Sequence, residues 1–202
     1  MSIPFRTEWF NLKNRALWDE HLTKAFDSPI ERYLEIGVGE GHSMRWVLEN
    51  LKPTEAIGID PYIPKKRKEA QAYIRHEQNM EANLAEWLED GTFELVRQPS
   101  IDVLPQWLHS DLSEGEKFDL IYVDGNHQCF PCLMDCVLCW PFVRMGGIMI
   151  MDDYDRRYQR GWPMTREAID AFLDGAEKQY DLVWGEPRRA DNKHVAIRRI
   201  RE

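Results

Sequence analysis

The chain of 202 residues lacks any apolar run long enough to cross a membrane. Its first residues, MSIPFRTEWFNLKN, also lack the apolar core of a secretory signal peptide. Internal repeats and low-complexity linkers are absent as well. These absences favour a cytoplasmic location without a membrane partner. With 43% hydrophobic and 30% charged residues, the composition is that of an ordinary globular protein with a substantial core.

An excess of basic residues is also missing. Lysine and arginine number 26 against 35 aspartates and glutamates, which gives a net charge of −9. Because phosphate contacts require a basic surface, this balance argues against a nucleic-acid partner. The basic cluster PKKRK at residues 64–68 is interpreted as the start of a solvated surface helix.

Cysteine is scarce, and all four cysteines lie within one short segment: Cys129, Cys132, Cys136 and Cys139. Two C-x-x-C pairs can supply four thiolates to zinc or to an iron–sulfur cluster. The same spacing also matches the apolar stripe of one helix face, and the residues between the cysteines are apolar. We favour a buried core helix over a metal site, and a disulfide framework is not expected.

The order of apolar runs predicts an α/β protein. Five strand candidates alternate with helical segments, and two further strands, DLVWGE and HVAIRRI, are separated by a polar turn. This order predicts a doubly wound, mostly parallel seven-stranded sheet that ends in an antiparallel hairpin. The aromatic-rich residues 1–28 are predicted to be a helical lid or dimer arm, ahead of the main domain over residues 29–202.

The fourth and fifth predicted strands both end in aspartate. FDLIYVDGNH places Asp124 at the end of one strand, and GGIMIMDDYD places Asp152 and Asp153 at the end of the next. Neighbouring strands lie about 4.8 Å apart, so the three carboxylates should be close together. Such carboxylates repel one another unless a cation or protons intervene. Hard oxygen ligands of this kind suit a magnesium-like or calcium-like ion.

A glycine-rich turn, Glu35-Ile36-Gly37-Val38-Gly39-Glu40-Gly41, connects the first strand to a helix. Glycines there allow a sharp turn and close approach of a ligand to the backbone. Asp60, at the end of the next strand, can accept hydrogen bonds from both hydroxyls of a ribose. A dinucleotide fingerprint requires Gly or Ala where His42 stands. The acidic Glu35 suits a cationic ligand better than a pyrophosphate.

The run E-x-G-x-G-x-G, followed by an acidic strand end, resembles motifs I and II of the class I S-adenosylmethionine-dependent methyltransferases. The similarity extends from about Glu31 to Asp153 and implies a Rossmann-like methyltransferase fold. It also implies that the glycine turn wraps the methionine part of S-adenosyl-L-methionine, that Asp60 binds the ribose and that Ser43 meets the methionine carboxylate. The implied cofactor-binding residues are Glu35, Gly37, Val38, Gly39, Ser43, Asp60, Ser100, Ile101 and Asp124.

The three aspartates resemble the metal ligands of one subset of this superfamily, the metal-dependent O-methyltransferases of the catechol and macrocin types. The resemblance implies Mg²⁺, or a similar divalent cation, held by Asp124, Asp152 and Asp153. It also implies a small-molecule acceptor with neighbouring oxygens, such as a sugar-like polyhydroxylated metabolite. His127 is the candidate general base, beside Asp124 as the second catalytic residue. Asn126 stands where some relatives carry an acid.

Other functions remain open at the level of sequence. One is a methyltransferase of the same fold that acts without metal or on another acceptor, and another is a nucleotide-binding oxidoreductase. An enzyme that methylates adenine amino groups is disfavoured, because Asp124-Gly125-Asn126-His127 replaces the expected Asn/Asp-Pro-Pro-aromatic run. A non-catalytic module of the same fold is a further alternative. A homodimer through the aromatic N-terminal segment is compatible with each of them.

Overall fold

The computed structural model describes residues 10, 12–64, 70–109, 116–187 and 193–201. Its central sheet has seven strands in the order β3-β2-β1-β4-β5-β9-β8. Strands β1 to β5 are parallel, and β9 runs antiparallel to both β5 and β8. The strands are β1 (Arg32–Ile36), β2 (Glu55–Ile59), β3 (Phe93–Val96), β4 (Phe118–Val123), β5 (Val143–Met151), β8 (Tyr180–Trp184) and β9 (Val195–Arg199). The predicted doubly wound sheet with its C-terminal hairpin is confirmed.

Helices cover both faces of the sheet. They are α1 (Leu12–His21), α2 (His42–Asn50), α3 (Ala70–Asn83), α4 (Ala85–Glu89), α5 (Ser100–Leu108), α6 (Cys129–Cys139) and α7 (Thr165–Gly175). Two short 3₁₀ turns, Leu22–Lys24 and Trp140–Phe142, extend α1 and α6. None of the described helices is both long and apolar enough to cross a membrane.

Strand β4 explains why two layers of helices form. All six of its residues, FDLIYV, are buried. Leu120 and Tyr122 join the core that includes α1 and α2, whereas Ile121 and Val123 join the core that includes α5, α6 and α7. Successive strand residues point to opposite faces, so a continuous apolar run requires cover on both sides.

The cysteine-rich helix α6 is part of the second core. Cys132, Cys136 and Cys139 are buried, Cys129 is partly buried, and all four are free thiols. Burial raises the pKa of Cys139 well above its usual range, which keeps the thiol protonated. The structure therefore places these cysteines as the favoured core-helix interpretation predicted.

The described part of the N-terminal segment packs against the sheet. Trp18 in α1 is fully buried and makes edge-on ring contacts with Trp46 and Tyr122, at centroid distances of 5.3 and 4.9 Å. Helix α1 is therefore held by the core. The proposed role of residues 1–28 as a lid or dimer arm, and the division at residue 29, remain predictions.

The structure differs from the predicted elements at three places. The predicted long helix from Lys65 to Leu88 is divided into α3 and α4 at Leu84, a buried residue with ψ of 13°, and the basic residues 65–69 lie outside the described residues. Strand β5 begins at Val143, before the predicted Gly146, because a register shift lets it pair with Phe118. The predicted loop before α7 contains a small hairpin, β6 (Tyr158–Gln159) and β7 (Trp162–Pro163).

Candidate active site

The glycine turn lies against the end of β4. Gly37 has a φ of +88°, and a Cβ atom added there would come within 2.1 Å of the carbonyl oxygen of Asp124. Two backbone hydrogen bonds tie the strand ends together, from Gly37 N to Ile59 O and from Asp124 N to Ile36 O. Only glycine fits this position, because both the conformation and the space exclude a side chain.

Asp60 links the glycine turn to the end of β2. Its Oδ2 accepts a hydrogen bond from Gly39 N at 3.0 Å, and its Oδ1 accepts one from Tyr62 N at 2.8 Å. The Tyr62 hydroxyl closes the arrangement by donating to Gly39 O at 2.8 Å. Burial raises the pKa of Asp60, while the backbone N–H of Gly39 opposes that rise. The carboxylate is partly exposed, so lone pairs remain for a ribose hydroxyl.

Glu35 lies beneath the turn and is fully buried. Its two carboxylate oxygens accept hydrogen bonds from the hydroxyls of Ser43 and Tyr33. Burial raises the pKa of Glu35 to about 8, against the opposing effect of these two donors. Ser43, predicted to meet the methionine carboxylate, therefore contacts Glu35 in this structure. The two residues shape the floor of the turn from below.

The segment predicted to border adenine begins helix α5. The Ser100 hydroxyl donates to Oδ1 of Asp135 on α6, and Ile101 is 42% exposed. Asp135 is buried, and burial raises its pKa to about 6 despite the hydrogen bond from Ser100. Asp135 was not predicted, because it lies between cysteines on an apolar helix. Ile101 remains available as an apolar surface for an aromatic ring.

The three aspartates come together at the ends of β4 and β5, as the sequence predicted. Burial, followed by the Asp152 and Asp153 carboxylates, raises the pKa of Asp124 well above its usual range. Three ligand atoms, one each from Asp124, His127 and Asp153, lie within 4.8 Å of one another. Among the described residues, these three side chains lie close enough together to hold a metal ion.

Asp152 has a different environment from its two neighbours. Its Oδ2 accepts a hydrogen bond from the Tyr122 hydroxyl at 2.8 Å, and its Oδ1 lies 3.0 Å from Nε2 of His194. Burial alone would raise its pKa, but the neighbouring His194 holds the pKa of Asp152 below its usual range. Protein groups thus contact both oxygens of this carboxylate.

Asp153 faces the more open side of the cluster. Its Oδ2 lies 2.8 Å from Nδ1 of His127 and 2.9 Å from Nε of Arg156. Both partners are partly exposed, with 36% and 47% of their side chains accessible. The Asp153 backbone has a φ of +57°, in the left-handed region.

Tyr122 and His194 lie at the acidic cluster and were not predicted from the sequence. Tyr122 had a usable signal, because it lies two residues before Asp124 on the same strand, and alternate residues share a face. His194 lies just before β9, and Met151 pairs with Val195 across the sheet. The register that brings His194 to Asp152 is set by the hairpin and could not be derived from composition.

Comparison with known proteins identifies the family of the chain. A family model described as a methyltransferase domain matches residues 34–154. This range extends from β1 to the two aspartates that follow β5. The fold and the glycine turn define a class I, S-adenosylmethionine-dependent type of methyltransferase, as the E-x-G-x-G-x-G pattern predicted. The chain belongs to this family of methyltransferase domains.

Individual relatives are more distant. A protein of Acanthamoeba polyphaga mimivirus, named uncharacterized protein R132, is 27% identical over 155 residues, which are 76% of this chain and 64% of that protein. The O-methyltransferase from Bacillus cereus, solved with S-adenosylhomocysteine (SAH), is 15% identical, with a TM-score of 0.66 over 95% of this chain and 82% of that one. The MycE methyltransferase of mycinamycin biosynthesis, solved with Mg, SAH and mycinamycin VI, is 16% identical, with a TM-score of 0.61 over 92% of this chain and 49% of that one. At these identities the two structural similarities concern the fold.

Proposed function

We propose that this protein transfers the methyl group of S-adenosylmethionine to a hydroxyl oxygen of a small polyhydroxylated molecule, with the help of Mg²⁺ or a similar divalent cation. The observation that carries the proposal is the contact between Gly37 and Asp124. It joins the glycine turn directly to the acidic cluster. A methyl donor in the turn would therefore lie beside an acceptor oxygen at the cluster, and such proximity supplies a large part of catalysis.

The cofactor-binding part of the proposal uses residues at the ends of β1, β2 and β3. Gly37, Val38 and Gly39 offer backbone groups to the methionine part, and Asp60 accepts hydrogen bonds from the ribose. The buried Glu35 and Ser43 fix the shape of the turn. Ile101 and Ser100 border the adenine. The net charge of −9 supports a small acceptor over a nucleic acid.

The acidic cluster has a donor set that fits a divalent cation. Asp124 and Asp153 supply carboxylate oxygens on neighbouring strand ends, and Asp152 steadies them through Tyr122, whose hydroxyl also lies 3.4 Å from Asp124. When bound, such a cation lowers the pKa of an acceptor hydroxyl and fixes its direction. The Mg present in the MycE complex supports this assignment.

His127 is proposed to accept the proton of the acceptor hydroxyl. Its Nδ1 faces the Asp153 carboxylate at 2.8 Å, which orients the ring and favours the tautomer with the proton on Nδ1. Nε2 is then the basic nitrogen. General-base catalysis of this kind typically contributes about 10²–10⁴-fold.

The metal site is tested by binding of Mn²⁺, followed by electron paramagnetic resonance of the free ion. We expect one site in the wild type and at least about tenfold weaker binding in Asp124→Asn and Asp153→Asn, because each loses a charged ligand. Asp155→Asn is the matched control, since Asp155 is an exposed acid two residues further along. Equal affinities in all four proteins would contradict the site.

Mn²⁺ binding and the rate of methyl transfer together show whether His127 is a general base or a metal ligand. His127→Gln should leave Mn²⁺ affinity within about twofold while it lowers methyl transfer by about 10² or more. If His127→Gln instead loses Mn²⁺ as Asp153→Asn does, His127 is a ligand and the assignment as base is wrong.

A further inference from the structure

We infer that Gln128 and the β6–β7 hairpin form the acceptor-binding pocket, and that the acceptor is a sugar ring carrying an anionic group such as phosphate. This inference rests on the proposed function and specifies its substrate class. The pocket has a volume of about 310 Å³ and is lined by Gln128, Gln159, Arg160, Trp162 and Met164. This volume lies at the lower end of the range found for small-molecule sites.

The pocket adjoins the acidic cluster through the chain itself. Gln128 directly follows His127, the proposed base, and pairs with Met164 in an isolated antiparallel bridge. The base of the hairpin is fixed near Asp153, because the Thr165 hydroxyl donates to the Asp153 carbonyl oxygen. Met164 N also donates to Arg157 O at 2.7 Å. A ligand in the pocket is therefore held beside the residues that would activate its hydroxyl.

The side chains that face the pocket have the chemistry of a sugar site. Gln159 and Trp162 are direct cross-strand partners, so their side chains lie on the same face of the hairpin. Trp162 is 73% exposed, so the face of its ring is available to a ligand in the pocket. Within the described parts of the chain, the side-chain amides of Gln128 and Gln159 make no hydrogen bond. An aromatic surface with nearby unpaired amides suits the apolar face and the hydroxyls of a sugar ring.

Arg160 adds the specificity for an anion. It makes no ion pair with the described residues, whereas its neighbours Arg156 and Arg157 lie near Asp153 and Glu167. Arg160 and Gly161 both have positive φ, +52° and +83°, as a two-residue turn of the I′ type requires. Asn, Asp or Gly is favoured at the first of these positions, and Arg is strained there. The Arg160 side chain lines the pocket, where a phosphate or carboxylate can bind its guanidinium.

The hairpin provides its own control positions. Tyr158 is also exposed, at 63%, but it pairs with Pro163 on the opposite face of the ribbon from Trp162. Arg157 lies three residues before Arg160 and does not line the pocket. Arg160→Gly suits the turn, since glycine adopts positive φ freely, so this variant should fold at least as well as the wild type.

The test is saturation-transfer NMR with α-glucose 1-phosphate, α-galactose 1-phosphate and neutral glucose, in the presence of saturating SAH. The wild type, Tyr158→Ala and Arg157→Ala should bind the sugar phosphates alike. Trp162→Ala should weaken binding of the sugar phosphates and of glucose by about fivefold or more, because the stacking surface is lost. Arg160→Gly should weaken binding of the sugar phosphates by about tenfold and leave glucose unchanged, because only the anion contact is removed.

Titration of SAH into the same samples separates this inference from the proposed function. If SAH binds but neither sugar phosphate does, or if Trp162→Ala and Tyr158→Ala have equal effects, the inference is wrong and the methyltransferase proposal is unaffected. If the sugar phosphates bind in a manner that depends on Trp162 while SAH does not bind, the pocket stands and the proposed function fails.

Discussion

Nε2 of His194 lies 3.0 Å from Oδ1 of Asp152, and both residues are buried. The pair connects the start of β9 to the end of β5, so the C-terminal hairpin supports the site directly. The adjacent Asp153 instead contacts His127 and Arg156, which are partly exposed. The two adjacent aspartates therefore have different roles. Asp152 mainly stabilises the fold, whereas Asp153 mainly contacts the partly exposed residues of the acidic cluster.

This difference predicts unequal costs for the same substitution. Asp152→Asn should lower the free energy of unfolding by about 3–5 kcal/mol, because it breaks a buried pair and leaves His194 without its charged partner. Asp153→Asn should cost less, about 1–2 kcal/mol, since Asp153 is equally buried but its partners are partly exposed and asparagine tolerates a positive φ. Urea unfolding measures both values. Equal losses in the two variants would contradict the division of tasks.

Glu35 predicts a pH dependence of stability. Its pKa in the folded protein is about 8, above the ordinary value of 4.5, so the folded state keeps a proton that the unfolded chain releases first. Stability from this group is complete below about pH 4.5 and is lost as pH rises towards 8. Glu35→Gln removes this titrating group. The difference in the free energy of unfolding between variant and wild type should therefore shift in favour of the variant by roughly a few kcal/mol between pH 5 and pH 8.

Urea unfolding of both proteins at these two pH values measures that shift, and other titrating groups cancel in the comparison. A difference in unfolding free energy that stays constant from pH 5 to pH 8 would mean that Glu35 is already ionised at pH 5. A constant difference is also what a pKa lowered by the two hydroxyl donors would give, because Glu35 would then be ionised in both states from pH 5 to pH 8.

Gly37→Ala is predicted to be severely destabilising, by about 4 kcal/mol or more, since the new Cβ would meet the Asp124 carbonyl at 2.1 Å. Gly146→Ala is the matched control. Gly146 has a similar positive φ of +79°, but a Cβ there would meet nothing within 4 Å. It should therefore cost only the backbone strain, about 1–2 kcal/mol. Thermal unfolding distinguishes the two, and equal losses would rule out the close contact between β1 and β4.

Trp18 and Trp162 form a second matched pair. Trp18→Ala should lower the free energy of unfolding by about 3–5 kcal/mol, because Trp18 is fully buried against Tyr122 and Trp46. Trp162→Ala should change it by less than about 0.5 kcal/mol, because the ring is 73% exposed. A small effect of Trp18→Ala in urea unfolding would mean that α1 detaches from the sheet in solution.

The sequence predicted the sheet because its signals are local. Each strand is a short apolar run, and the ends at Asp60, Asp124 and Asp152 follow from where those runs stop. The glycine turn could be predicted as well, because its backbone conformation requires glycine at positions such as Gly37. Together these patterns predicted the fold and the methyltransferase class, and both predictions are confirmed.

The remaining parts of the site depend on distant pairing. The contact of His194 with Asp152 depends on the register between β5 and β9, which spans more than forty residues of chain. The β6–β7 hairpin was missed because Arg160 occupies a turn position where asparagine or glycine would have given the usual signal. Asp135 was hidden in an apolar helix. Such features follow from tertiary structure and from function.

Titration calorimetry of SAH tests the central claim most directly. The wild type should bind SAH with micromolar affinity, and Asp60→Asn should weaken that binding by about tenfold or more, because a charged acceptor for the ribose is lost. Glu94→Gln, on the exposed side of neighbouring β3, should bind as the wild type does. Absence of binding in the folded wild type, or equal affinity in the Asp60 and Glu94 variants, would contradict a methyl-donor site at the glycine turn.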